Sequence, residues 1–156
     1  MKNNLTIFTL MGICYVFIEV AFSSIVSLKP ALIGSSSLWM FLVGGLLGVT
    51  LGKMNEIKFT RNLIYPINIF AGAFVITLNE LISGIILNKW LGFDIWDYSH
   101  ATYNFLGQID LVHSICWVFL TPFVFWVDDV MKHYMFEEPR PDKLINYYLK
   151  NEKRKK

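Results

Sequence analysis

Glu80 stands in the run Asn79-Glu-Leu-Ile-Ser-Gly-Ile-Ile-Leu-Asn88, where most neighbours are apolar. A carboxyl group near the middle of a bilayer costs roughly 2.5 kcal/mol or more on insertion scales, so a chain that keeps one there must satisfy it or use it. Glu80 is therefore the first candidate for chemistry. Glu80, Gly84 and Asn88 recur at every fourth position and so share one helix face. Asn104, Gln108, Asp110 and His113 follow downstream, and Asp110 and His113 are three apart, again on one face. Glu19 is a second acid inside an apolar run. Together these residues are the candidates for holding a ligand or a proton.

The elements that must position them are membrane helices. Of 156 residues, 54% are hydrophobic and only 17% charged, too apolar for an ordinary soluble domain. The spans expected are 5–26, 36–51, 63–87 and 109–127, the last helix continuing to Tyr134, an all-α four-transmembrane-helix bundle filling residues 1–134, with a short basic tail over 135–156. Pro122 is expected to kink the fourth span. Lys53 to Asn62 is read as a charged loop, and Asp128 and Asp129 as solvated at the exit of the last helix. The N-terminal run carries Glu19 and no convincing cleavage site, so it reads as a retained helix. Gly44, Gly48 and Gly52 form a small-residue stripe which, with Gly84, lets neighbouring helices approach closely. Cys14 and Cys116 lie in apolar segments and read as reduced, buried thiols.

Lys and Arg concentrate at the C-terminus and in the Lys53–Asn62 stretch, leaving Lys29 and Lys89 on the other side, which places both termini in the cytoplasm. Glu19 then lies about 21 Å from the cytoplasmic end of its span and Glu80 about 26 Å from its own. Both acids fall in the outer half, where Gln108, Asp110 and His113 also enter, so one polar cluster opening outward is expected. Spans drawn this way contain no Lys or Arg, which leaves protons, a metal ion or a cationic ligand as counter-charges. A protonated glutamate bridging two helices explains the same residues without any ligand. His113 alone reads more simply as a packed polar residue, and no metal or cofactor is assigned. The Gly48–Lys53 stretch lacks phosphate-loop spacing, and no catalytic constellation is recognised, so an enzyme is not the favoured reading. The basic tail suits anionic lipid headgroups, and nothing points to nucleic acid.

Trp39-Met-Phe-Leu-Val-Gly-Gly45, Asn79 to Asn88, Trp96-Asp-Tyr-Ser99 and Asn104-Phe-Leu-Gly-Gln-Ile109 resemble, in that order, the bacterial CmpB-like membrane proteins grouped as the putative ABC-transporter type IV permease family. The resemblance implies a multi-pass protein of the bacterial cytoplasmic membrane and makes Trp96, Asp97, Tyr98 and Ser99 a family-motif loop. It departs at Asp110-Leu-Val-His113, so any role of Asp110 and His113 belongs to this chain and is not inherited. A permease this small implies a homo-oligomer, another membrane subunit or a separate ATPase. The expected function is binding or moving a small solute through the outer-half carboxylates. The alternatives are a non-transporting assembly or holin-like protein, and a membrane-embedded lipid-headgroup binder or enzyme.

Overall fold

The computed structural model describes residues 2–26, 36–57 and 65–149. The Ser27–Pro30 turn, Lys58, Arg61 and the terminal basic run from Lys150 lie outside them. The protein is all-α, with four helices long and apolar enough to cross a membrane. Helix α1 covers Lys2–Val26, α2 Leu38–Glu56, α3 Tyr65–Gly84, α4 Leu111–Phe136 and the short α5 Asn146–Leu149. A two-stranded ladder, β1 Asn104–Phe105 and β2 Ile109–Asp110, pairs antiparallel. The chain forms two compact units, Met1–Thr50 and Leu51–Lys156.

In the first unit α1 and α2 run antiparallel, and glycine is what lets them meet. A Cβ on Gly44 would sit 2.4 Å from the Tyr15 Cβ, and one on Gly48 would sit 2.3 Å from the Met11 Cβ. Gly45 takes the Phe8 ring and Gly12 the Phe41 ring, and those two rings meet edge to face at 5.9 Å. Lipid is as apolar as a leucine side chain, so such close van der Waals contact, and not exclusion of water, holds membrane helices together.

In the second unit α3 packs antiparallel on α4 around Gly72, whose Cβ would strike Thr121 Cγ2 at 2.5 Å. Ala73, Ile76, Thr121 and Phe125 are buried there. Helix α3 passes at Ile85 into a π-helical turn ending at Trp90, wider than the plain continuation expected as far as residue 87. Single π turns recur at functional sites because the extra residue re-aims side chains, and this one buries Leu87 and Asn88. Helix α4 continues through Pro122, where only the amide that would bond Val118 is lost.

Four expectations are corrected. Cys14 is only half-buried and Cys116 is exposed, because an apolar run fixes a helix but not which of its faces meets a neighbour. Lys53, Asn55 and Glu56 belong to the last turns of α2 and not to a loop. Helix α4 ends at Phe136, just past the expected continuation to Tyr134, but as a candidate span it includes Lys132, where the span closed at 127 was read as free of cations. Asp128 and Asp129 are 1% and 6% exposed, not solvated. For the charged residues the reason is pairing: Lys132 on α4 meets Glu56 on α2 as well as Asp128, and Asp129 meets Asn55 on α2 and Tyr147 on α5, so the helices carry on where polarity alone would end them. Beyond Pro139 the chain turns back, burying Tyr147 beside α4 and setting the Tyr148 hydroxyl on the Phe119 carbonyl at 3.0 Å.

Replacing Gly48 by Ile should overpack the α1–α2 contact by about 1–3 kcal/mol. A thermal melt in detergent is expected to show a midpoint lowered by roughly 2–10 °C.

Candidate functional site

Glu80 lies on α3 at 9% exposure, where no water can satisfy its carboxyl oxygens cheaply. Protein donors replace it. The Trp117 indole on α4 donates to Oε2 at 2.8 Å, and the Tyr98 hydroxyl donates to Oε1 at 3.0 Å. Trp117 can only donate, but a tyrosine hydroxyl can donate or accept. Oε1 can therefore carry a proton or not, with Tyr98 reversing its bond to match.

Tyr98 leads outward. Its ring stacks on His113 at 4.5 Å between centroids, and His113 Nδ1 meets Asp110 Oδ2. Asp110 is also the cap of α4, accepting the Val112 amide at 2.7 Å and the His113 amide at 3.0 Å. Burial works against ionisation of Asp110, but the His113 amide and ring, together with the Val112 amide, outweigh it and hold its carboxyl below the ordinary range. His113 is 39% exposed and Asp110 2%, so the line Glu80, Tyr98, His113 and Asp110 joins a buried acid to an accessible ring.

A second set of bonds fixes Tyr98 in place. Asn88 Nδ2 donates to the Trp96 carbonyl at 2.9 Å and to Gln108 Oε1 at 2.8 Å, while Asn88 Oδ1 accepts the Ile95 amide at 2.8 Å. The Trp96 indole returns to the Gln108 carbonyl at 3.0 Å. Gln108 fits only because Gly84 has no side chain: a Cβ there would meet Gln108 Oε1 at 2.5 Å. Asp97 accepts the Ser99 amide and hydroxyl, which hold its carboxyl below the usual value. Asn104 donates to the Ala101 carbonyl and accepts the Gly107 amide. Leu106 and Gly107, at φ of 55° and 69°, close the turn between β1 and β2. Two successive positive φ values suit the twist of a tight hairpin, and glycine adopts one without strain.

The structure thus brings Glu80, Asp110 and His113 together, and joins Asn88 to Gln108 as their support. Asn104 stands opposite Asp110 in the hairpin ladder, but its exposed side chain is turned to Ala101 and Gly107. Glu19 belongs to the first unit, half-buried, with Ser36 Oγ donating to its Oε2 at 3.0 Å. Among the described residues, no three of His, Cys, Asp and Glu come together in a way that could hold a metal ion.

One polar cluster was not foreseen. Lys132 Nζ donates to Glu56 Oε1 at 2.6 Å and to Asp128 Oδ2 at 2.8 Å, while Asp129 accepts from Asn55 at 3.0 Å and from the Tyr147 hydroxyl at 2.7 Å. The Asp128–Lys132 spacing of four was visible in the sequence as a helical ion pair. Its depth was not, because the span had been closed at residue 127. Gly52, at the end of the small-residue stripe, faces the Asp128 carboxylate.

Residues 5–147 match a family described as Putative ABC-transporter type IV. No curated protein and no solved structure matches.

Asp110→Ala should cost about 0.5–2 kcal/mol through the lost cap, whereas Asp110→Asn keeps a capping oxygen and should cost less. The folded carboxyl titrates below the unfolded value of about 3.9, so its contribution is complete above that pH and fades as acidity passes the folded value. Acid melts of wild type and Asp110→Asn check this, since the variant should lose that part of the acid sensitivity.

Proposed function

The chain belongs to the putative ABC-transporter type IV family, and from that premise we propose that it is a membrane subunit binding or moving a small solute, with Glu80 as the acid that meets the solute or its exchanging proton. The observation that carries this is the Glu80 carboxyl, buried yet reached from the surface through Tyr98 and His113. A bond able to run in either direction at Oε1 is what proton exchange requires and what a purely structural bridge does not. A cationic solute would compete with the proton for the same oxygens. Glu19, held by Ser36, is the corresponding acid of the first unit.

In this reading the termini are cytoplasmic and the 91–110 loop is external, in a bacterial cytoplasmic membrane. Trp90, Tyr103 and Phe105, exposed at 82%, 72% and 55%, are then aromatic anchors at the outer interface. The sequence carries no phosphate-binding loop, so any ATP-driven step calls for a separate ATPase. Four spans enclose little room for a path, which argues for a homo-oligomer or a second membrane subunit.

Tetraphenylphosphonium binding to the purified protein in nanodiscs tests the role of Glu80. Wild type should bind more weakly as pH falls, and Glu80→Gln should weaken binding at least about tenfold, the equivalent of 1.4 kcal/mol, and remove the pH dependence. Tyr98→Phe, which keeps the ring and loses the hydroxyl, should retain binding with a displaced pH profile. Unchanged binding in Glu80→Gln would discard the proposal. Dye leakage from liposomes that ignores the same substitution would favour the holin-like alternative.

A further inference from the structure

The second unit contains another buried acid that the transport reading does not use. Asp128 is 1% exposed, and its two oxygens differ: Oδ2 accepts from Lys132, while Oδ1 has no hydrogen-bond partner. Oδ1 lies over Gly52, where a Cβ would come within 2.6 Å of it. The groups around it come from every side. The end of α2 supplies Gly52, Asn55 and Glu56, α4 supplies Asp129 and Lys132, and α5 supplies the Tyr147 hydroxyl. At this end helix α3 adds no charge, its acid Glu80 lying toward the other end. The register that sets Gly72 against Thr121 and Phe125 carries Asn68 on to the level of the two aspartates, and Asn68 Oδ1 is likewise buried and unpartnered.

Glu56 and Asp128 thus share the Lys132 ammonium, with Asp129 beside them. Lys132 is engaged by Glu56, Asp128 Oδ2 and the Gly52 carbonyl, and Asn55 and Tyr147 both point at Asp129. A buried carboxylate oxygen without a donor is costly to keep. Its remedy must be very small, because the Gly52 backbone stands directly against it. Among the described residues no metal-holding group exists, and a bare proton needs no added space.

We propose that Asp128 Oδ1 is an exchangeable proton site, built by Gly52, Lys132 and Glu56 where the end of α2 meets α4. The proton arrives from water on the side of the partly exposed Glu56, binds Oδ1, and leaves Oδ2 as the acceptor from Lys132. The net charge of the cluster becomes one unit less negative. This site does not depend on Glu80 or on the transport reading.

Infrared difference spectroscopy of the full chain in nanodiscs, recorded between mildly acidic and alkaline pH, reads such a proton directly. Wild type should show a protonated-carboxyl band that disappears at high pH and moves on exchange into heavy water. Asp128→Asn should lose that band and Glu80→Gln should retain it. A band retained in Asp128→Asn, or absent from wild type, would overturn the assignment, and a band lost only in Glu80→Gln would give it to the outer acid. Should Asp128→Asn fail to fold, Asp128→Glu decides: the band should remain at a shifted frequency, and an unshifted band overturns the proposal.

Discussion

A carboxyl group taken out of water must be met by donors that the fold carries to it, and the second unit is built around that requirement. Glu80 cannot be satisfied by its own helix. Its donors lie 18 and 37 residues further along, on the 91–110 loop and on α4. Everything that fixes Tyr98 therefore serves Glu80 at one remove: the π turn that aims Asn88, the Gln108 side chain seated on Gly84, and the indole of Trp96 closing on the Gln108 carbonyl. A loop in water has no need of so many internal bonds. This one holds a hydroxyl at hydrogen-bond distance from a buried acid.

The same requirement acts at the far end of α3 and α4, with a different solution. There the partner is a cation, and Lys132 gathers Glu56 and Asp128 while Asn55 and Tyr147 cover Asp129. Pairing extends α2 to Glu56 and α4 to Phe136, and it brings the tail back to its docking point. The two ends thus differ in chemistry. Neutral donors meet Glu80, one of them, Tyr98, able to reverse its bond, whereas an opposite charge in fixed contact meets Asp128.

Glycine makes both ends possible. In the first unit its missing side chain admits the stems of Tyr15 and Met11, a plain close approach of helices. In the second it admits polar groups: the Asp128 carboxylate over Gly52 and the Gln108 amide over Gly84. One residue type at one spacing therefore does two things along a single helix, with the change falling between Gly48 and Gly52.

Membrane residence, the number of spans, the candidate acid on α3 and the family were all legible in the residues, because apolar runs of sufficient length and a carboxyl inside one of them are local properties. Glu80, Gly84 and Asn88 could be placed on one face from spacing alone, and Gly84 and Asn88 do meet the same Gln108 side chain. Partner identity was another matter. Nothing in the order of residues says that Tyr98 and Trp117 converge on Glu80, or that Tyr147 returns to Asp129, since those pairs are separated by 18 or more positions. The π turn was equally hidden, being one extra residue in a run whose polarity does not change. The end of α2 and the close of the fourth span were missed for the same reason: a charge closes a span when it faces water and continues one when a distant partner neutralises it, and only the folded chain supplies that partner.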